Sequence, residues 1–474
     1  MTLKNVYQTF LKIEDDLNLF SYFVDDVYIW EMIRFDVFQR IIIELGLFKN
    51  DTMFGGKSFS SLNFRHKIKM CNTLLFDSIF YNPFFIRHID FIFFGHPRRK
   101  LMYDGYYWDI YTDPIIPILD NYTSATIETH ESLAHLKPAK TKNLYHNGIF
   151  TILSNINEII SKYKRTNIVH EFAKGVENRI KQDLAVSVDV YGLTIKTISR
   201  HKSICPILSN FFKKTTPKIC FTMASYGATD VIISAKRLNI PVVELQHGTM
   251  SRYHLGYSYE DGRVKRAFPD YLFSFGDFWR DSVDFPIPKE RVLSVGYPHL
   301  ENFYEEKKSN EKIDQIVFLS QWSIGVELSK FAVQTAKKFR GRANVVYKLH
   351  PWEKINESLI QASEANLMQV VTGQTPSLYD LLSTSRWIVG VYSTAIYEGI
   401  ALGCIPFIVN LTGFDYMEFL LQKGFAKLVK NPEEIDLSFI PVKINKDYLF
   451  ADNWRENFKK GVGMVLDNSK GKRG

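Results

Sequence analysis

Short apolar runs that end in glycine, serine or histidine, separated by helical stretches, recur along most of this chain and restrict its fold more than any other feature. "IDFIFFGHPRR" (89–99), "PKICFTMASYG" (217–227) and "IPVVELQHG" (240–248) each read as a strand breaking into a polar loop. "FPDYLFSFGDFWRDSV" and "RVLSVGYPHL" add two strands ending at Gly276 and Gly296. The segment 301–315, "ENFYEEKKSNEKIDQ", is charged and almost free of core residues, and reads as a linker. Beyond it the alternation restarts, with strands at 315–320, 344–349, 368–372, 387–392 and 405–409 and helices at 326–339, 376–384 and 394–403. Apolar strands alternating with helices specify βαβ units on parallel sheets. At 474 residues the chain is too long for one core. The expected fold class is therefore α/β, with two Rossmann-like doubly wound domains in series.

An extra helical N-terminal region precedes them. Phe20, Phe23, Val24, Val27, Trp30, Ile33, Val37, Phe38 and Ile41 recur at three- and four-residue spacing within 5–48, giving one apolar face. Residues 66–90 hold more phenylalanine than a solvated helix needs. They read as a helix packed on its own domain, with an interfacial membrane helix left open by His66, Lys67, Lys69 and Arg87. The expected divisions are 1–88 (helical), 89–305 (first Rossmann-like domain), 306–450 (second) and 451–474 (C-terminal helix and basic tail).

Cys71, Cys205, Cys220 and Cys404 form no C-x-x-C pair, which argues against a disulfide framework and a cysteine zinc site. No signal-peptide pattern or bilayer-length apolar run is read, so a cytoplasmic location is expected. The net charge of +8 is diffuse and does not form the dense basic stripe of a nucleic-acid binder. It suits an anionic substrate or the anionic inner face of a membrane.

In doubly wound sheets, ligands sit at the carboxyl ends of the strands. Three loops there stand out. "VVELQHGTMSRYHLGYSYEDGR" (242–263) carries Gln246, His247, Gly248, Thr249, His254 and the pair Glu260-Asp261. "VVYKLHPWE" (345–353) carries Lys348, His350 and Pro351. "WIVGVYSTAIYEGIALGCIPFIV" (387–409) places Ser393 and Thr394 at a helix start, with Glu398 on the same face as Thr394. Ser or Thr there is at least an ordinary cap, and the helix N-terminus is also a ready anion site. Ser320 and Gln321, in "FLSQWSI", mark the first loop of the second domain. The "FFGHPRRK" loop (93–100) reads as a solvated loop or an acceptor contact.

With "LQHGT" (245–249), "KLHP" (348–351) and "YSTAIYEGIALGCIPFI" (392–408), the chain resembles GT-B glycosyltransferases. The likeness is to the bacterial capsule and surface-polysaccharide type, together with teichoic-acid glycerophosphotransferases, capsule Kdo transferases and bacterial sialyltransferases. The resemblance implies two domains facing a central cleft. In the second domain, Ser320, Gln321, Lys348, His350, Pro351, Ser393, Thr394 and Glu398 would hold the donor, the glutamate on its ribose. A CMP- or CDP-linked donor is favoured and UDP is possible. Gln246, Gly248, Thr249 and His254 would line the acceptor side. The base that takes the acceptor hydroxyl's proton is His247, or Asp261 with Glu260 in an acidic-acidic-glycine motif. Imidazole titrates close to working pH without help, which favours His247.

The implied activity is inverting transfer of a sugar to a surface-polysaccharide or lipid-linked glycan, with no cofactor and no metal. Nucleic acid is not an expected partner, whereas peripheral contact with an anionic inner membrane is. Two alternatives share the motifs: an enzyme like UDP-N-acetylhexosamine 2-epimerase, and a non-catalytic nucleotide-binding subunit of a polysaccharide assembly complex.

Overall fold

The computed structural model of the chain describes residues 2–470 except 25, 49–63, 96–98, 130–134, 162–166, 307–310, 352 and 374. His96, Pro97 and Arg98 of the second His-Pro segment therefore lie outside the described residues, as do the side chains of His66 and Lys67.

Two large sheets organise the chain. The first contains β1 (Phe91–Phe94), β2 (Ser124–Glu128), β3 (Leu144–His146), β4 (Ile219–Thr222), β5 (Val242–Leu245), β6 (Tyr271–Ser274) and β7 (Val292–Ser294). The second contains β8 (Ile313–Leu319), β9 (Asn344–Lys348), β10 (Gln369–Val371), β11 (Ser385–Gly390), β12 (Ile405–Val409) and β13 (Lys427–Val429). Their orders are β7-β6-β5-β4-β1-β2-β3 and β10-β9-β8-β11-β12-β13, with every pairing parallel. Each sheet thus starts in its middle, runs two strands outward and crosses back to the other side. The reversal falls between β1 and β4 in one sheet and between β8 and β11 in the other, where doubly wound folds place their ligands. β4, β5 and β6 are buried along their whole length, because helices cover both faces. This is the two-domain α/β architecture that the sequence specifies.

The N-terminal helices do not form a separate body. Leu3–Asp16 and Ile29–Glu44 share one core with Asn167–Leu184 and Val190–Thr215, and that core also takes in Tyr253 and Leu255 from the loop after β5. The Phe64–Phe80 helix packs instead against Gly148–Ser161. At the other end, Trp454–Lys470 returns to the first domain, its Trp454, Phe458, Val462 and Val465 buried with Phe221 and Phe273. The expected linker at 301–315 is shorter than read: Pro298–Glu306 is helical and β8 begins at Ile313. Glu301, Glu305 and Glu306 lie on that helix and Asp314 on the strand. Among the described residues no helix is long and apolar enough to cross a membrane.

Candidate functional site

The two domains touch where the motif loops meet. The Thr394–Ala401 helix starts just after β11 and is capped by Ser393, whose Oγ accepts from the Ala395 amide at 3.3 Å. From the first domain, the Thr249 amide donates to Thr394 Oγ1 at 3.1 Å, and the two threonine hydroxyls lie 3.0 Å apart. A Cβ on Gly248 would sit 3.7 Å from the same Thr394 oxygen. The 246–249 loop therefore lies on the N-terminus of the helix it was expected to face.

Local bonds shape that loop. Gln246 is buried; its Oε1 accepts from the Phe275 amide at 2.7 Å and its Nε2 donates to the Gly248 carbonyl at 2.9 Å. Gln246 thus sets the loop's path. His247 is half-buried, and the Tyr111 hydroxyl donates to its carbonyl at 2.6 Å. Tyr111 is itself placed by Asp109, which accepts from its amide at 3.0 Å. Burial, then the Asp113 charge, push the Asp109 carboxyl up to about 6.

Three expected residues take other positions. His254 stacks on Phe35 with ring centroids 5.1 Å apart and 8° between planes, next to Tyr226 and Tyr257. Burial, then the neighbouring His247, hold its imidazole down to about 3. It is a neutral ring in an aromatic box. Glu260 is buried and pairs with Arg252 at 2.8 Å. Asp261 sits at φ 57 in a turn, with its exposed carboxylate 3.2 Å from Arg263, which also reaches Glu14 and Asp15 of the first helix. Glu260 and Asp261 thus pair with arginines of their own loop, and Arg263 ties that loop to the first helix.

On the second-domain side, Ser320 is buried with its hydroxyl 2.8 Å from the Tyr347 hydroxyl, a contact that braces the loop after β8. Gln321 Oε1 accepts from the Tyr392 amide at 3.2 Å and links the loops after β8 and β11 across the reversal point. Lys348 is half-buried and donates to the Gly373 carbonyl. The His350 amide donates to Glu353 Oε2 at 3.2 Å, and Pro351 is exposed.

Glu398 is 7% exposed, and burial raises its carboxyl to about 7, with the Tyr379 hydroxyl and the Lys100 charge pulling the other way. Lys100 comes from the first domain. Its Nζ is 3.2 Å from His299 Nε2, and its charge acts on both Glu398 and Lys348. A second cross-domain junction thus joins Lys100 to the expected donor residues. Its neighbour Arg99 is buried between Glu128 and Asp113 and is structural.

Sequence reasoning missed the grooves of the first domain. At the carboxyl ends of β1, β2 and β4 lies a cavity of 620 Å³ lined by Gly95, Phe150, Met223, Ala224, Lys196 and Arg200. A neighbouring cavity of 640 Å³ shares Lys196, Arg200 and Gly227 and extends to Phe35 and Tyr226, the rings that flank His254. Lys196 and Arg200, four apart on one helix, were the available signal.

No family model and no curated protein matches the chain. Among solved structures it is similar to UDP-GlcNAc 2-epimerase from Methanocaldococcus jannaschii, at 12% identity over 79% of this chain and 99% of that one, with a TM-score of 0.44. It is also similar to the glycosyltransferase SnogD from Streptomyces nogalater, at 10% identity, 81% and 96% coverage and a TM-score of 0.38. The wall teichoic acid polymerase TagF aligns at 12% identity, 85% and 91% coverage and a TM-score of 0.36. Likeness at this level assigns no role to any residue here.

Proposed function

We propose that the chain is an inverting glycosyltransferase that moves a sugar from a nucleotide-activated donor, CMP- or CDP-linked in preference to UDP, to a glycan or lipid-linked acceptor. The observation that carries the reading is the direct contact of Thr249 with Thr394, which brings the loop of His247 to the start of a helix at a doubly wound sheet's carboxyl edge. The helix dipole suits the donor's phosphates there, and a bound phosphate would take Thr249's place on Thr394. Lys348 and His350 stand at the end of β9, on the far side of β8 from β11, to stabilise the leaving phosphate. His247 takes the proton of the attacking hydroxyl, and the reaction uses no metal. The acceptor lies along the first-domain grooves, its anionic groups on Lys196 and Arg200.

The acceptor's lipid places the enzyme at an anionic membrane surface. The exposed side chains of Leu75, Phe76, Ile79 and Phe80, with Lys137 over the Phe76 ring, supply an apolar face with a basic edge.

A thermal-shift panel of CMP, CDP, UDP and GDP tests the donor. A ligand that binds only the folded state raises stability with the logarithm of its saturation. Selective stabilisation by a cytidine nucleotide, lost in His350→Ala, is expected. Stabilisation by UDP alone removes the cytidine preference, and stabilisation by none of the four removes the proposal. Loss of turnover in His247→Ala with nucleotide binding retained separates the transferase from a non-catalytic binding subunit.

A further inference from the structure

A cation from the first domain stands among the expected donor residues, and the proposed reaction leaves it without a part. Lys100 begins a short antiparallel ribbon, Lys100–Leu101 against Tyr107–Trp108, that follows β1. The residue before it fixes the ribbon to the first domain. Arg99 is buried and donates to Glu128 Oε2 at 2.8 Å and to Thr141 Oγ1 at 3.0 Å. Lys100 is half-buried and reaches the second domain, its Nζ 5.8 Å from the centre of the Tyr379 ring.

His299 holds it there. Lys100 Nζ lies 3.2 Å from His299 Nε2. An ammonium only donates, so this ring nitrogen accepts and the imidazole is neutral. Burial, then the Lys100 charge, hold that imidazole down to about 3. The ring packs against Tyr379 in turn, with centroids 5.2 Å apart.

Two observations mark the space before Lys100 as one for an anion. First, among the described residues Lys100 makes no ion pair; Glu398 and Asp380 attract its charge, yet burial outweighs both and keeps the ammonium below its ordinary value. Glu398 supplies only part of a charge at neutral pH, since its carboxyl titrates at about 7. Second, Lys348 comes from the end of β9 in the second domain, and burial, then the Lys100 charge, lower it as well. Two ammonium groups from opposite domains that repel each other are relieved by an anion between them. Glu398 lies one helical turn from Thr394 on the same face, so Lys100 acts on the region that suits the donor's phosphates.

We propose that Lys100 is a catalytic residue that contacts the donor's departing phosphate and that His299 positions it, roles that rest on the nucleotide-donor reading of the Thr394 helix. As the bond between the sugar's anomeric carbon and the phosphate oxygen breaks, its electron pair stays on that oxygen, and Lys100 meets the charge that develops. The acceptor oxygen forms the new bond, and its proton passes to His247. Lys100 belongs to one domain and Lys348 to the other, so only the apposed domains present both cations to the phosphate.

The test is calorimetric titration of the full chain with CMP, CDP, UDP and GDP in turn, at low and high NaCl. For the nucleotide that binds, Lys100→Met is expected to raise Kd by on the order of tenfold, the weight of one charge-assisted contact. Its Kd is also expected to depend less on NaCl than the parent's, because screening has one ion contact fewer to weaken. Lys100→Arg keeps the charge and is expected to recover most of both effects. His299→Ala is expected to weaken binding less than Lys100→Met and to keep the parent's salt dependence; an unchanged Kd removes its positioning role. A Lys100→Met Kd within about twofold of the parent's overturns the proposal. So does a larger loss with unchanged salt dependence and no recovery in Lys100→Arg, which is the signature of a structural role. Binding of none of the four removes the donor reading together with this one, whereas binding that ignores Lys100 removes this one alone.

Discussion

Glu398 is a proton store at the domain junction. Its carboxyl, at about 7, lies above the ordinary 4.5 because burial penalises the charged form. The folded chain therefore keeps a proton that the unfolded chain releases. The stability this contributes is fully present below pH 4.5 and is lost as pH rises through 7. Glu398→Gln keeps the uncharged form at every pH. It is expected to match the parent near pH 4.5 and to exceed it at pH 8 by on the order of 1–3 kcal/mol, measured by urea unfolding at both values. A constant difference across pH would show that the junction does not desolvate this carboxyl. The sequence had placed Thr394 and Glu398 on one helix face, since i, i+4 spacing requires it. The charge of Lys100 acting on Glu398 could not be read, because it reaches across two domains and the local sequence of Lys100 shows only a basic loop. The bracing bonds of Gln246 and Ser320 were hidden for a related reason: a polar side chain after a strand looks alike whether it faces a ligand or braces its own loop.

Among the elements, the loop after β5 shows what fixes a long irregular segment. Glu14, buried in the first helix, accepts from Trp30 Nε1 at 2.8 Å and pairs with Arg34 at 2.6 Å and Arg263 at 3.0 Å. Arg34 continues to the carbonyls of Leu255 and Ser258 at 3.1 and 2.6 Å. This network clamps residues 255–263 to the helical layer, and Gly256 lets Tyr226 and His254 close over it, since a Cβ would meet Tyr226 Cδ1 at 2.7 Å. Removing one partner of a buried ion pair typically costs about 3–5 kcal/mol. Arg34→Met is expected to lose that much in chemical denaturation, with part recovered when Glu14→Gln is added. A loss below about 1 kcal/mol would mean that the loop holds its path without the clamp. Strands β1, β4 and β5 were readable because runs buried on both faces are almost wholly apolar. β2 and β3 were not: "SATIE" and "LYH" are short and partly polar, and β3 lies at the sheet's edge.

At the scale of the whole molecule, the chain's last helix completes its first domain. Two glycines permit the return. A Cβ on Gly276 would sit 2.5 Å from the Tyr448 carbonyl oxygen, and Gly296, at φ 91, would meet the Ala451 carbonyl oxygen at the same 2.5 Å. Trp279 Nε1 donates to the Leu449 carbonyl at 2.9 Å, and the Ala451 amide donates to the Phe275 carbonyl at 2.7 Å. Past this seam, Phe458 is 1% exposed, its ring centroid 6.0 Å from Phe221 on β4 and 5.2 Å from Phe273 on β6. Truncating a buried phenylalanine costs about 3–5 kcal/mol, and the location of that loss distinguishes a C-terminal appendage from a shared core. Phe458→Ala is expected to speed hydrogen exchange in peptides covering β4, β5 and β6 while those covering β9 and β11 keep their protection. If the second domain loosened first, the helix would belong to the half that precedes it in sequence. Because the chain crosses back after β13, opening of the junction between Thr249 and Thr394 must bend it at two places, one between β7 and β8 and one in the seam at 445–453. Stiffening the seam should therefore slow nucleotide association without changing any residue at the cleft.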